Sequence, residues 1–151
     1  MGDQLRILVA EDDPDDVFLL RRGFAKGGVK VLMDFVKDGQ EAIDYLQAKP
    51  SVANVTSPPF PTLLILDLNM PRLNGFEVLK WIRQQPGLQR LPVVILSSSG
   101  LEQDKQRAYA LGADGYAIKP SEPSEMIKLA KCLQEYWTTN NRAGSGHCST
   151  D

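Results

Sequence analysis

Apolar residues fall into five short runs along the chain, and the polar segments between them carry a helical repeat. The purest run is Leu63-Leu64-Ile65-Leu66, which follows Pro61-Thr62 and predicts a strand buried on both faces, as in parallel sheets. Leu5 to Ala10 and Leu91 to Leu96 read the same way. Val29 to Val36 is less uniformly apolar and suits a sheet edge, and Asp114 to Ile118 makes a short fifth strand. Asp13-Pro14 pairs an N-cap acceptor with a proline at the first helical position, and Val17, Leu20 and Phe24 recur behind it until Gly27-Gly28. Asp38 and Glu41 resemble a capping box that opens a helix over Ala42 to Ala48. Asn74 with Glu77 opens another, with Phe76, Leu79 and Ile82 as its buried stripe and Pro86-Gly87 as its stop. A fourth helix covers Glu102 to Leu111. The last begins at Pro123 and carries Met126, Ile127, Ala130, Leu133 and Trp137 on one face.

Strands and helices that alternate in this way predict an α/β fold with a parallel, doubly wound sheet. Right-handed crossovers favour the flavodoxin-like order 2-1-3-4-5 for five strands and five helices. Residues 1–138 form the expected domain, and 139–151 an expected disordered, polar tail. The polar loop from Pro50 to Pro61 is long for a compact domain and fits either a partner contact or a tolerated insertion.

Composition narrows the function. Seventeen basic and nineteen acidic residues leave a net charge of −2, which gives no electrostatic case for nucleic acid or an anionic membrane. No apolar run approaches the roughly 20 residues that span a bilayer. The amino terminus shows neither a signal peptide nor a myristoylation pattern. Two cysteines, Cys132 and Cys148, suggest no disulfide framework and no zinc site, which points to a reducing cytoplasm.

The chemistry lies at the strand ends. The first strand stops at Glu11 and Asp12, the third at Asp67, the fourth at Ser97 and the fifth at Lys119. In a doubly wound sheet these carboxyl ends meet on one rim, where ligands bind. Each residue alone has a plainer role: capping acids, a turn hydroxyl, a surface lysine. Their joint placement on one rim exceeds what capping requires. Two carboxylates about 4 Å apart repel by roughly 4 kcal/mol at an effective dielectric near 20. Three therefore call for cations: Lys119 is one, and a hard divalent ion, Mg2+ or alternatively Mn2+, suits an all-oxygen site. Asp67 beside such an ion, with Lys119 and Ser97, has the parts to form an aspartyl phosphate. No nucleotide-binding P-loop is present, so the phosphate would come from another protein or a small donor.

Glu11-Asp12, the run Asp67-Leu-Asn-Met-Pro-x3-Gly75, Ser97 and Lys119-Pro120 together resemble the receiver domain of two-component response regulators. The stand-alone length, the loop after the second helix and Ser97-Ser98-Ser99-Gly100 resemble the phytochrome-associated type. The resemblance implies that Asp67 accepts phosphate from the phosphohistidine of a sensor histidine kinase, or from a phosphotransfer protein. It implies Mg2+ ligation by Asp12, Asp67 and the Asn69 backbone carbonyl, with Glu11 acting through water. Ser97 and Tyr116 would be the switch pair, the hydroxyl swinging to the phosphate and the ring turning inward. That would remodel a face for a downstream protein target. The resemblance further implies a cis Lys119-Pro120 bond, and exposed Tyr136 and Trp137 suggest a homodimer. It does not imply turnover of an external substrate.

Three rivals fit less well. A dehalogenase-type phosphatase needs a second Asp where Asn69 stands. A flavin carrier would place Ser, Thr and Gly after the first strand, where Glu11-Asp12-Asp13 would repel the phosphate. A docking-only pseudo-receiver would lack some of the groups found.

Overall fold

A computed structural model describes residues 5–47 and 61–141, with 136–141 as backbone only. The elements are β1 (Leu5–Ala10), α1 (Pro14–Lys26), β2 (Val31–Val36), α2 (Gly39–Leu46), β3 (Leu63–Leu66), α3 (Gly75–Gln84), β4 (Val93–Ser97), α4 (Glu102–Ala110), β5 (Gly115–Ile118) and α5 (Pro123–Asn141). All pair in parallel in the order β2-β1-β3-β4-β5, as the alternation predicts.

Successive residues of a strand face opposite sides, so a wholly apolar strand feeds two cores. Ile7, Val9, Leu63, Ile65, Val94 and Leu96 pack with Leu20, Phe24, Met126 and Leu129 of α1 and α5. Leu8, Ala10, Leu64, Leu66, Val93 and Ile95 pack with Ala42, Val78, Leu79 and Ile82 of α2 and α3. β3, paired on both edges and covered on both faces, has four buried residues in a row. β2 pairs on one side only and alternates exposure, with Leu32 and Asp34 outward. That is the edge its mixed composition foretold.

The helix starts follow local chemistry. Asp13 caps α1 by accepting from Asp15 N at 2.9 Å, with Pro14 at N1. Asn74 and Glu77 complete a reciprocal capping box on α3. α2 departs from expectation and begins at Gly39 rather than Ala42. Asp38 accepts from Glu41 N at 2.8 Å, while the Glu41 carboxylate takes Lys37 N at 2.9 Å, so the reciprocal bond lands one residue early. β2 also starts late, because Val29 N donates to Phe24 O and closes the end of α1, with Gly28 at φ +71°.

α5 continues to Asn141, past the expected boundary at 138. Cys132 on α5 is disulfide-bonded, where the two cysteines had suggested no disulfide framework. The expectations for the 50–60 stretch, the 142–151 tail, and the Tyr136 and Trp137 side chains lie outside the described residues. Among the described residues no helix is long and apolar enough to cross a membrane.

Candidate functional site

β1 and β3 are neighbours, and Ala10 pairs with Leu66 in register. Glu11 and Asp67, the next residue of each strand, therefore emerge side by side. Asp67 N donates to Ala10 O at 3.1 Å, and Glu11 N to Val36 O at 3.0 Å, so pairing holds both acids up to the rim. Carboxylate oxygens of Glu11, Asp12 and Asp67 lie within 4.8 Å of one another. Glu11 and Asp67 are buried and Asp12 is exposed. They line a polar cleft of about 590 Å3 with Asp13, Asp16, Asn69, Ser98 and Lys119. The donor set is all oxygen and crowded with negative charge, and it could hold a hard divalent ion.

Lys119 follows β5 and enters from the far side of the cleft. Its backbone N donates to Ser97 O at 2.8 Å, extending the β4–β5 ladder by one step. Its Nζ lies 2.8 Å from Glu11 Oε1, 2.8 Å from Asp16 Oδ2 and 3.3 Å from Asp67 Oδ2. Burial works against the ammonium, but hydrogen bonds to Asp16 and Glu11 and the nearby Asp67 charge outweigh it and hold its pKa above the ordinary lysine range. No described peptide bond is cis, so Lys119-Pro120 is trans and the expected cis bond is corrected. Trans is the favoured isomer by about 0.5–1 kcal/mol, and here the ammonium reaches the acids from it.

Burial raises the Glu11 carboxyl from 4.5 to about 7; the Lys119 hydrogen bond lowers it, and the Asp67 charge raises it further. Between those two values the folded protein keeps a proton that the unfolded chain has released. Glu11 therefore contributes stability fully below pH 4.5 and loses it as pH rises through about 7. Urea midpoints of metal-free protein should fall over that window, and Glu11→Gln should flatten the fall. Equal slopes for both proteins would reject the assignment.

The structure brings Glu11, Asp12, Asp67, Asn69 and Lys119 to the cleft wall, and holds Ser97 beside Lys119, whose backbone N donates to Ser97 O, without exposing it to the cleft. The Ser97 side chain is buried and its Oγ accepts from Ser99 N at 3.1 Å; Ser98 lines the cleft instead. Tyr116 is also buried, and its hydroxyl donates to Ser99 O at 2.8 Å. The ring already occupies the inward position that was expected only after phosphorylation. Asn69 N donates to Asp67 Oδ1 at 3.3 Å, steadying the acid. Beyond it, Leu73 N donates to Pro71 O at 2.8 Å around Arg72 at φ +70°, a strained γ-turn. Sequence reasoning missed Asp16. Its one signal was an acid three residues after the α1 N-cap, which reads equally well as first-turn charge.

An acid-lined cleft at the switch point of a 2-1-3-4-5 sheet defines the class: a flavodoxin-like domain whose chemistry lies beyond β1, β3 and β5. Residues 7–131 match the family model of the response regulator receiver domain, and the chain belongs to that family. Response regulator Rcp1 of Synechocystis sp. is 32% identical over 87% of this chain and 87% of its own length. Its Mn2+-bound crystal structure superposes with a TM-score of 0.76, covering 88% of this chain and 94% of that one. The phosphorylated cyanobacterial phytochrome response regulator RcpA is 34% identical, with a TM-score of 0.80 over 91% of this chain and 96% of its own. The probable methanogenesis regulatory protein FilR2 of Methanothrix harundinacea is 31% identical over 93% of this chain and 88% of its own.

Proposed function

We propose that Asp67 is the phosphoacceptor of a two-component relay and that the protein acts as a switch rather than as an enzyme turning over an external substrate. The observation that carries this reading is the convergence on Asp67 of two further carboxylates and one ammonium. In the step proposed, an Asp67 carboxylate oxygen bonds to phosphorus as the bond from phosphorus to the donor histidine nitrogen breaks. The imidazole leaves with its electron pair and takes up a proton. Lys119 meets the charge on the phosphoryl oxygens. Glu11, Asp12, the Asp67 side chain and the Asn69 carbonyl would hold Mg2+, with Mn2+ as a substitute. The ion would supply further charge neutralisation. The crowding of buried acids, with Glu11 raised towards neutrality by burial, supports that fit.

Ser97 and Tyr116 are the switch residues of this reading. Both meet the β4–α4 loop at Ser99, so moving the Ser97 hydroxyl towards a phosphoryl group breaks its bond with Ser99 N and frees the loop that Tyr116 holds. A downstream protein would read the change on α4, β5 and α5. The likeness to Rcp1 and RcpA supports a phytochrome-type histidine kinase as donor, and a cytoplasmic location accords with that reading. The receiver reading covers 1–138 with a tail from 139, although α5 itself runs on to Asn141, and self-association through Tyr136 and Trp137 rests on the sequence alone.

Incubation with Mg2+ and acetyl phosphate tests the assignment. Wild type should gain one phosphoryl group by intact mass and Asp67→Asn none, and chelation should stop the reaction. Equal labelling of the two proteins would overturn it.

A further inference from the structure

Three acceptors surround the Lys119 ammonium, and only two of them, Glu11 and Asp67, belong to the acid cluster around the phosphoacceptor. The third is Asp16, on the first turn of α1. Its Oδ2 lies 2.8 Å from Nζ, closer than Asp67 Oδ2 at 3.3 Å. An ammonium has three protons to donate, so the three acceptors occupy all of them. A phosphoryl oxygen on Asp67 can take a proton only if one acceptor lets go.

Burial decides which one. The Glu11 and Asp67 side chains are 5% and 4% exposed, whereas Asp16 is 30% exposed. A carboxylate that water can reach recovers hydration when it loses its partner, and a buried one does not. Asp16 is therefore the partner that yields. It is also spare to its own helix: Asp13 caps α1, Pro14 occupies N1, and Asp15 already supplies a first-turn acid.

We propose that Asp16 is a positioning residue that draws Lys119 towards α1 and away from Asp67, and so restrains phosphoryl acceptance. The inference rests on the phosphoacceptor reading and adds a regulator of that same site. The pull is local. Asp16 acts through the lysine, and its effect disappears when the lysine does.

The rate of Asp67 labelling by acetyl phosphate with Mg2+ tests this in wild type, Asp16→Asn, Asp16→Glu, Lys119→Met and the Asp16→Asn/Lys119→Met double variant. Asp16→Asn is isosteric at a part-exposed position, and circular dichroism verifies its fold. Loss of one charged hydrogen bond, moderated by its exposure, should raise the rate about 3- to 10-fold. Asp16→Glu, which restores a carboxylate, should fall back towards wild type. In the Lys119→Met background Asp16→Asn should change nothing, the coupling that contacting residues show in a double-mutant cycle. An unchanged or slower Asp16→Asn overturns the inference. So does a gain that survives without the lysine, since that would be simple charge repulsion of the donor. If wild type labels and Asp16→Asn merely matches it, this inference alone falls; if wild type does not label, the phosphoacceptor reading falls with it.

Discussion

Lys119→Met should slow labelling of Asp67 by about 100- to 1000-fold, the loss seen when one preorganised electrostatic group is removed from a reacting centre. The argument is one of charge. Glu11, Asp16 and Asp67 share this single ammonium at 2.8, 2.8 and 3.3 Å, and Asp12 and Asp13 add two more acids to the same cleft. Without the lysine, none of the described side chains lining the cleft offers a positive charge to an incoming phosphoryl group. The same change leaves two buried acids without their cation, and removing one partner of a buried pair costs about 3–5 kcal/mol. Part of that cost is relieved by protonation: burial already raises the Glu11 carboxyl to about 7, and losing the Lys119 hydrogen bond removes an effect that holds it lower. Thermal unfolding of metal-free protein should show the loss, and Mg2+ should recover some of it. Wild-type labelling rates in Lys119→Met would dismiss the role assigned to the ammonium.

Gly75→Ala should damage both fold and site. Gly75 opens α3, and its N donates to Leu68 O at 3.0 Å, drawing the helix end against the loop that carries Asp67. A Cβ there would collide with Asp67 O and sit 2.8 Å from Leu68 Cα. These are backbone atoms, so no rotamer change relieves the contact. Overpacking of this kind costs about 1–3 kcal/mol, and a backbone clash belongs at the upper end. Displacing the loop also moves the acid away from Glu11 and Lys119, so labelling should fall together with the urea midpoint. Gly100→Ala is the control, because a Cβ there meets only Ile118 Cδ1 at an ordinary 3.5 Å. A Gly75→Ala protein as stable and as readily labelled as that control would show the packing to be irrelevant.

Much of the site was legible because its residues follow buried strands directly. A strand covered on both faces cannot bury a charge within itself, so Asp67 had to appear where Leu63–Leu66 ended, and Glu11 likewise after Ala10. The order 2-1-3-4-5 then made the two acids neighbours. Orientation at the rim was not legible. Ser97 occupies its expected position in sequence, yet its hydroxyl turns to Ser99 N; Tyr116 lies inward on Ser99 O. Either side chain has several rotamers that a linear pattern does not distinguish.

By itself the sequence determined the number, type and order of the elements, the two-sided core, the α3 capping box and the acids at the strand ends. All of these arise from periodicity or from hydrogen bonds only a few residues apart. Tertiary structure alone decided which partners Lys119 holds. Asp16 and Lys119 are 103 positions apart and meet only because α1 and the end of β5 flank one rim. It also decided that Gly75 must lack a side chain, through the approach of α3 to the Asp67 loop, and that Lys119-Pro120 stays trans. Such contacts depend on how finished elements pack against one another, and no local pattern along the chain records that.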